Sequence, residues 1–184
     1  MPLPSACAAS AFVLLAAGSA LAPSAWATQY LTLEEAQKVM YPEATSFKAQ
    51  PLDLNSAQMR DIEKLSGLPA RSVHWRVSSA WRGDALLGYV VQDDVIGKYE
   101  LISYAVGVNL DATVRQIEIL TYRESHGFEV RNPAWRKQFV GKSAQSGLAL
   151  GDGINNISGA TLSSTHVTDG VRRIAAIVQI ALKK

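Results

Sequence analysis

Glu100-Leu101-Ile102-Ser103-Tyr104-Ala105-Val106-Gly107-Val108-Asn109 is a long apolar-rich run; Leu110-Asp111-Ala112-Thr113 then turns the chain, and Val114 to Tyr122 returns. On the returning run Val114, Gln116 and Glu118 fall on one side, while Arg115, Ile117 and Ile119 shift across the other. Two such runs around a short polar turn read as adjacent antiparallel strands. Working outward, residues 73–81 alternate Val and Trp with His, Arg and Ser, and Arg82-Gly83-Asp84 makes a turn. Ala85 to Gln92 is a further run of Leu, Val and Tyr, and Asp93-Asp94 with Gly97 punctuates the connection to Glu100. These short connections favour an antiparallel meander of about four or more strands over parallel βαβ units.

Helical patterns surround the meander. Thr32 precedes Glu34, Glu35 and an apolar spacing of Leu33, Ala36 and Val39-Met40, which predicts a capped short helix stopped by Pro42. Asn55 or Ser56 caps a second, running to about Leu65 before Gly67 and Pro69. Asn132-Pro133 starts a short helix holding Trp135 and Phe139, and a Gly/Ser/Ala-rich loop covers 141–153. The last helix is expected from about Ser164 to Lys183, with Val167, Val171, Ile174, Val178 and Leu182 as its buried stripe. Asp169, Arg172, Arg173, Gln179 and Lys183 are expected to face away. The fold class is therefore α+β: one domain, an antiparallel sheet covered by helices, with residues 28–70 as an N-terminal helical segment.

Residues 1–27 read as a signal peptide. Phe12 to Leu21 is a short apolar run, and Ala25-Trp26-Ala27 fits the small-x-small cleavage pattern, so cleavage is expected near Ala27 and export to the periplasm follows. No Lys or Arg precedes the apolar run. The single cysteine, Cys7, leaves with that segment, which excludes disulfides, thiolate metal sites and iron–sulfur clusters from the remainder. The 18 Lys+Arg and 16 Asp+Glu give a nearly balanced net charge of +2, with no basic run that would suggest nucleic acid. His74, His126 and His166 are scattered without a carboxylate spacing, which argues against a metal site. No Gly-x-Ser-x-Gly motif supports a hydrolase.

The chemistry is concentrated near the C-terminus, in Ser158-Gly159-Ala160-Thr161-Leu162-Ser163-Ser164 directly before the last helix. Unpaired N–H groups and the helix dipole at such a place favour a phosphate, and Gly159 permits close backbone approach. This stretch resembles the flavinylation motif of the FMN-binding domain family, which includes the periplasmic flavin subunits of the Rnf and sodium-pumping NADH:quinone reductase complexes. Glu124-Ser125-His126-Gly127-Phe128-Glu129, Asn132-Pro133-Ala134-Trp135 and Gln138-Phe139-Val140-Gly141-Lys142 resemble that family's upstream segments, in the same order and at similar spacing. Two positions depart from the pattern. Asn155 stands where the family most often has Asp, with Asp152 nearby, and Ser125-His126 replaces Thr-Pro.

The resemblance implies that residues 71–184 form an FMN-binding domain with FMN joined to Thr161 by a phosphoester. Ser158, Gly159, Ala160, Leu162, Ser163 and Ser164 would surround the phosphate, and Glu124, His126, Gly127 and Trp135 would wall the flavin ring. A threonine hydroxyl is a poor nucleophile by itself. Attachment therefore implies a partner, a magnesium-dependent flavin transferase with FAD as donor. The implied function is electron transfer between membrane-associated redox proteins, with no catalytic residue of the chain's own. Two other readings stay open: a flavin-dependent reductase of a small acceptor with His126 as proton donor, and a non-redox exported binding module.

Overall fold

The four-strand meander is the centre of a larger, seven-stranded sheet. A computed structural model describes residues 28–124 and 127–183; the signal segment, the cleavage site and Ser125-His126 lie outside the described residues. The elements in chain order are β1 (Thr28–Gln29), α1 (Leu33–Met40), β2 (Ser46–Ala49), β3 (Leu52–Asp53), α2 (Ser56–Ser66), β4 (His74–Arg82), β5 (Ala85–Ile96), β6 (Leu101–Asn109) and β7 (Val114–Tyr122), followed by α3 (Pro133–Arg136), β8 (Ala149–Leu150), β9 (Gly153–Ile154) and α4 (Thr161–Ala181). The sheet runs β1-β7-β6-β5-β4-β2, with β3 also on β4, and every pairing in it is antiparallel. β8 and β9 form a separate two-stranded parallel ladder.

Alternation along the strands divides the apolar residues between two faces. Val77, Tyr89, Val91, Tyr104, Val106 and Ile117 meet α4 and α2 on one face; Ala80, Val90, Ala105 and Leu120 meet Ala36, Met40 and Tyr41 of the α1 region on the other. The Tyr41 hydroxyl donates to the Val108 carbonyl at 2.7 Å. Burial holds that phenol far above its ordinary acidity range. Segment 28–70 thus covers both faces, and it also supplies the edge strands β1 and β2, which its helical pattern did not reveal. They are too short to carry a period-two signal.

The structure corrects three further readings. Asp93 and Asp94 do not punctuate a connection; they lie inside β5, which continues to Ile96. Asp93 is buried because its carboxylate has partners: Arg71 Nη2 at 2.7 and 3.0 Å and the Tyr104 hydroxyl at 2.8 Å. Arg173 does not face solvent. It is buried against the turn after α2, donating from Nε to the Pro69 carbonyl at 2.7 Å, and burial lowers its pKa, with Arg71 adding to the effect. Finally, α4 begins at Thr161 rather than Ser164.

Gly170 fixes where α4 lies. An ideal Cβ there would sit 1.9 Å from the Tyr104 hydroxyl oxygen, and that oxygen is already committed to Asp93. Burial first, then the Asp93 charge, push the Tyr104 phenol well above its usual value, so it remains a donor. Alanine is ordinarily the better helix former by about 1 kcal/mol, yet Gly170→Ala is expected to lose about 1–3 kcal/mol through overpacking. Chemical denaturation checks this, and Gly170→Ala combined with Tyr104→Phe should recover part of the loss.

Candidate functional site

α1 and α2 are capped in the same way, with a side chain closing each start. Thr32 and Glu35 form one capping box, Asn55 and Gln58 the other. The longest helix is different. α4 has Ala160 at its N-cap and no side-chain cap. Its first intrahelical bond runs from Ser164 N–H to the Ala160 carbonyl at 2.9 Å, so the amides of Thr161, Leu162 and Ser163 have no partner within the helix. An alanine at this position forgoes about 1 kcal/mol relative to Ser, Thr, Asn or Asp.

Those amides border a half-open cleft of about 260 Å³ lined by Lys98, Tyr99, Glu124 and residues 159–163. Thr161 is exposed in it. Its hydroxyl oxygen accepts a hydrogen bond from Asn156 Nδ2 at 3.2 Å, while Asn156 Oδ1 accepts from the Ser164 hydroxyl and the Ile157 amide. Asn156 therefore ties the loop before the helix to its first turn. Asn155, the position that departs from the family's Asp, acts through its backbone: its amide donates to Gln138 Oε1 and its carbonyl accepts from Trp135 Nε1 at 2.8 Å.

The sequence-predicted residues separate into three groups. Thr161, Gly159, Ala160, Leu162, Ser163 and Glu124 come together in the cleft. Ser158 is exposed beside it and does not line it. Ser164, Gly127 and Trp135 are buried behind it. The Ser164 hydroxyl has Asn156 Oδ1 and the Ala160 and Thr161 carbonyls as competing acceptors for its one proton and so does not offer it to a ligand. Trp135 packs edge-on against Phe139 at 5.0 Å between ring centroids and supports the loop at Asn155. Gly127 has φ +82°, and a Cβ there would lie 2.7 Å from the Ala160 Cβ and 2.8 Å from the Tyr122 hydroxyl. Only glycine seats that loop against the start of α4. His126 lies outside the described residues.

Glu124 reaches the cleft by clasping the β5–β6 hairpin. One carboxylate oxygen accepts from the Tyr99 amide at 2.6 Å and the Glu100 amide at 3.0 Å. A Cβ on Gly97 would meet the same oxygen at 2.5 Å. Burial opposes its charge, but the amides of Glu100, Tyr99 and Lys98 and the Lys98 ammonium outweigh that and hold its carboxyl below the ordinary glutamate range. Tyr122 and Ser163 back the cleft; burial raises the Tyr122 phenol, and the hydrogen bond with Ser163 opposes the rise.

Lys98 and Tyr99 were not anticipated. Tyr99 is 74 % exposed, with the Lys98 ammonium 4.8 Å from its ring centroid. An aromatic in the tight turn Gly97-Lys98-Tyr99-Glu100, where nothing packs on it, was the available signal. What sequence spacing lacked was the tie that brings the hairpin to α4: His166 Nδ1 meets the Ile96 carbonyl at 2.5 Å. Among the described residues no group of His, Cys, Asp and Glu could hold a metal ion, and no helix is long and apolar enough to cross a membrane.

Residues 97–176 match the model of the FMN-binding domain family. No curated protein matches the chain. Among solved structures, that of Shewanella oneidensis NqrC is similar, with 16 % identity and a TM-score of 0.47 over 79 % of this chain and 82 % of that one.

The clasp has a pH signature. A carboxylate with a depressed folded-state pKa contributes above the ordinary glutamate range and loses its contribution as pH falls through the lower value. The amide resonances of Tyr99 and Glu100, followed through an acid titration, should therefore move with a midpoint below that of an exposed glutamate. Glu124→Gln should abolish the transition.

Proposed function

Residues 97–176 belong to the FMN-binding domain family, whose cofactor is FMN; from that premise we propose that this chain is an exported electron carrier with FMN esterified through its phosphate to Thr161. The observation that carries the reading is the uncapped start of α4, with the Thr161 hydroxyl exposed in the cleft beside three amides that have no helical partner.

The residues present fit that group. A phosphate takes the amides and dipole of the α4 start, with Lys98 as the nearby cation. Gly159, at φ +80°, has open space where its Cβ would be, so nothing obstructs approach to the backbone. Tyr99 and Leu162, 74 % and 47 % exposed, are apolar surface for a flat ring. The bound FMN supplies the redox chemistry; the chain positions it. In the attachment reaction the Thr161 hydroxyl oxygen would give up its proton to a base of the transferase and take the flavin-side phosphoryl group of FAD, with AMP as the leaving group. Asn156 donates to that oxygen, so the hydroxyl proton is free to point away from Asn156 toward a base supplied by the transferase.

The size of the cleft bears on the choice between carrier and enzyme. A site that encloses a small molecule occupies roughly 300–1,000 Å³, and this one is about 260 Å³ and half open. A ring held there keeps an edge in solvent, which suits exchange of electrons with a protein surface. The donor and acceptor are then membrane-associated redox proteins, and the phosphoester prevents loss of FMN after export.

After co-expression with a flavin transferase, the wild-type protein is expected to keep flavin fluorescence on a denaturing gel, and Thr161→Ala to lose it. Fluorescence that survives in Thr161→Ala would place the attachment elsewhere. Fluorescence lost from both would mean that FMN is bound without a covalent tether.

A further inference from the structure

Tyr99 has no structural employment. Its ring is 74 % exposed at the rim of the cleft, whereas the other large aromatic side chains near the site, Tyr122 and Trp135, are buried. Its backbone, by contrast, is held firmly: the amide is bonded to Glu124 at 2.6 Å, the next amide shares that oxygen, and Gly97 lies against the same carboxylate. A fixed main chain that presents a free aromatic ring restricts that ring to two torsions.

Lys98 sharpens the argument. Its ammonium lies over the Tyr99 ring, 4.8 Å from the centroid, a cation–π arrangement that occupies one face of the ring. The opposite face is left for another planar group. Of the described residues that line the cleft, Tyr99 is the sole aromatic. A tricyclic heteroaromatic tethered at Thr161, which lines the same cleft, finds no other flat partner among those described residues.

We propose that Tyr99 is the stacking residue for the isoalloxazine ring, and that Glu124 is a positioning residue which sets Tyr99 at the cleft. This deepens the reading above, since it requires FMN to occupy this cleft. It assigns different work to two residues of one hairpin. Lys98 covers one face of the tyrosine, and the other face of Tyr99 covers the flavin ring.

Tyrosine stacked on a flavin quenches its emission, so the test reads the emission per flavin of the folded protein for wild type, Tyr99→Phe, Tyr99→Ala and Glu124→Gln. Tyr99→Ala is expected to emit several-fold more than wild type. Glu124→Gln should fall between them, because the ring remains but its seat is loosened. Tyr99→Phe keeps a flat partner that is a poorer electron donor, so it should brighten the flavin while binding free FMN as the wild type does. In a Thr161→Ala background, free FMN is titrated, and removal of the Tyr99 ring should weaken binding about three- to tenfold, the usual worth of one aromatic pair. Covalent retention on a denaturing gel reports Thr161 separately, so failure of the tether is distinguishable from failure of the stack. Tyr99 is exposed, and its replacement is not expected to unfold the protein. Equal emission and equal FMN affinity in wild type and Tyr99→Ala would overturn the proposal.

Discussion

The contact between Gly170 and the Tyr104 hydroxyl decides where everything else in the site can be. Tyr104 stands up from the middle of β6, its oxygen bound to Asp93, and Asp93 is in turn bound to Arg71. A helix can cross above that oxygen only at a residue without a side chain. α4 therefore has one axial position on the sheet. Its first residue lies nine positions before Gly170, roughly 14 Å along the axis, which carries the α4 start out to the β5–β6 hairpin. His166 then secures the hairpin through the Ile96 carbonyl. The cleft is the space left where this helix end meets the hairpin.

Three chain segments that are remote in sequence build the cleft, and polar contacts fasten each of them. Glu124 holds the hairpin amides, Trp135 and Gln138 hold Asn155, and Asn156 bridges Thr161 and Ser164. The Ser164 hydroxyl and the indole N–H are consumed in this scaffolding. The Thr161 hydroxyl stays exposed, and the amides that follow Ala160 remain without a helical partner. Rigidity is thus supplied from behind, and the Thr161 side is left open to solvent.

The meander was legible because β4 to β7 are long and two-faced, so alternation survives over many residues. The helix starts at Thr32 and Asn55 were legible because capping chemistry is local. Asp93 and Asp94 misled for an equally physical reason. Adjacent acids suggest a turn when their partners are unknown, and Arg71 and Tyr104 are distant in sequence. Arg173 misled likewise, since its acceptor is the Pro69 carbonyl. That Thr161 stands at the start of the last helix was legible in the sequence, while the place of Lys98 and Tyr99 in the cleft was not: nothing local in Gly97-Lys98-Tyr99-Glu100 says which helix end it will meet. That Ser164 and Trp135 lie buried behind the cleft was not legible, because burial is a property of the assembled fold.

The missing cap on α4 follows from packing. Ala160 is buried at the point where Gly127 presses closest, with 2.7 Å between the Ala160 Cβ and the place a Gly127 Cβ would occupy. A serine or aspartate at position 160 would need room for further atoms on that same carbon. The approach that seats the 127–131 turn against the helix thus excludes the residues that would normally satisfy the helix start. Closing the loop and leaving the amides uncapped are one structural choice. The amides it leaves open adjoin the exposed Thr161 oxygen, so the groups that attract an anion and the group that could be joined to one are supplied together.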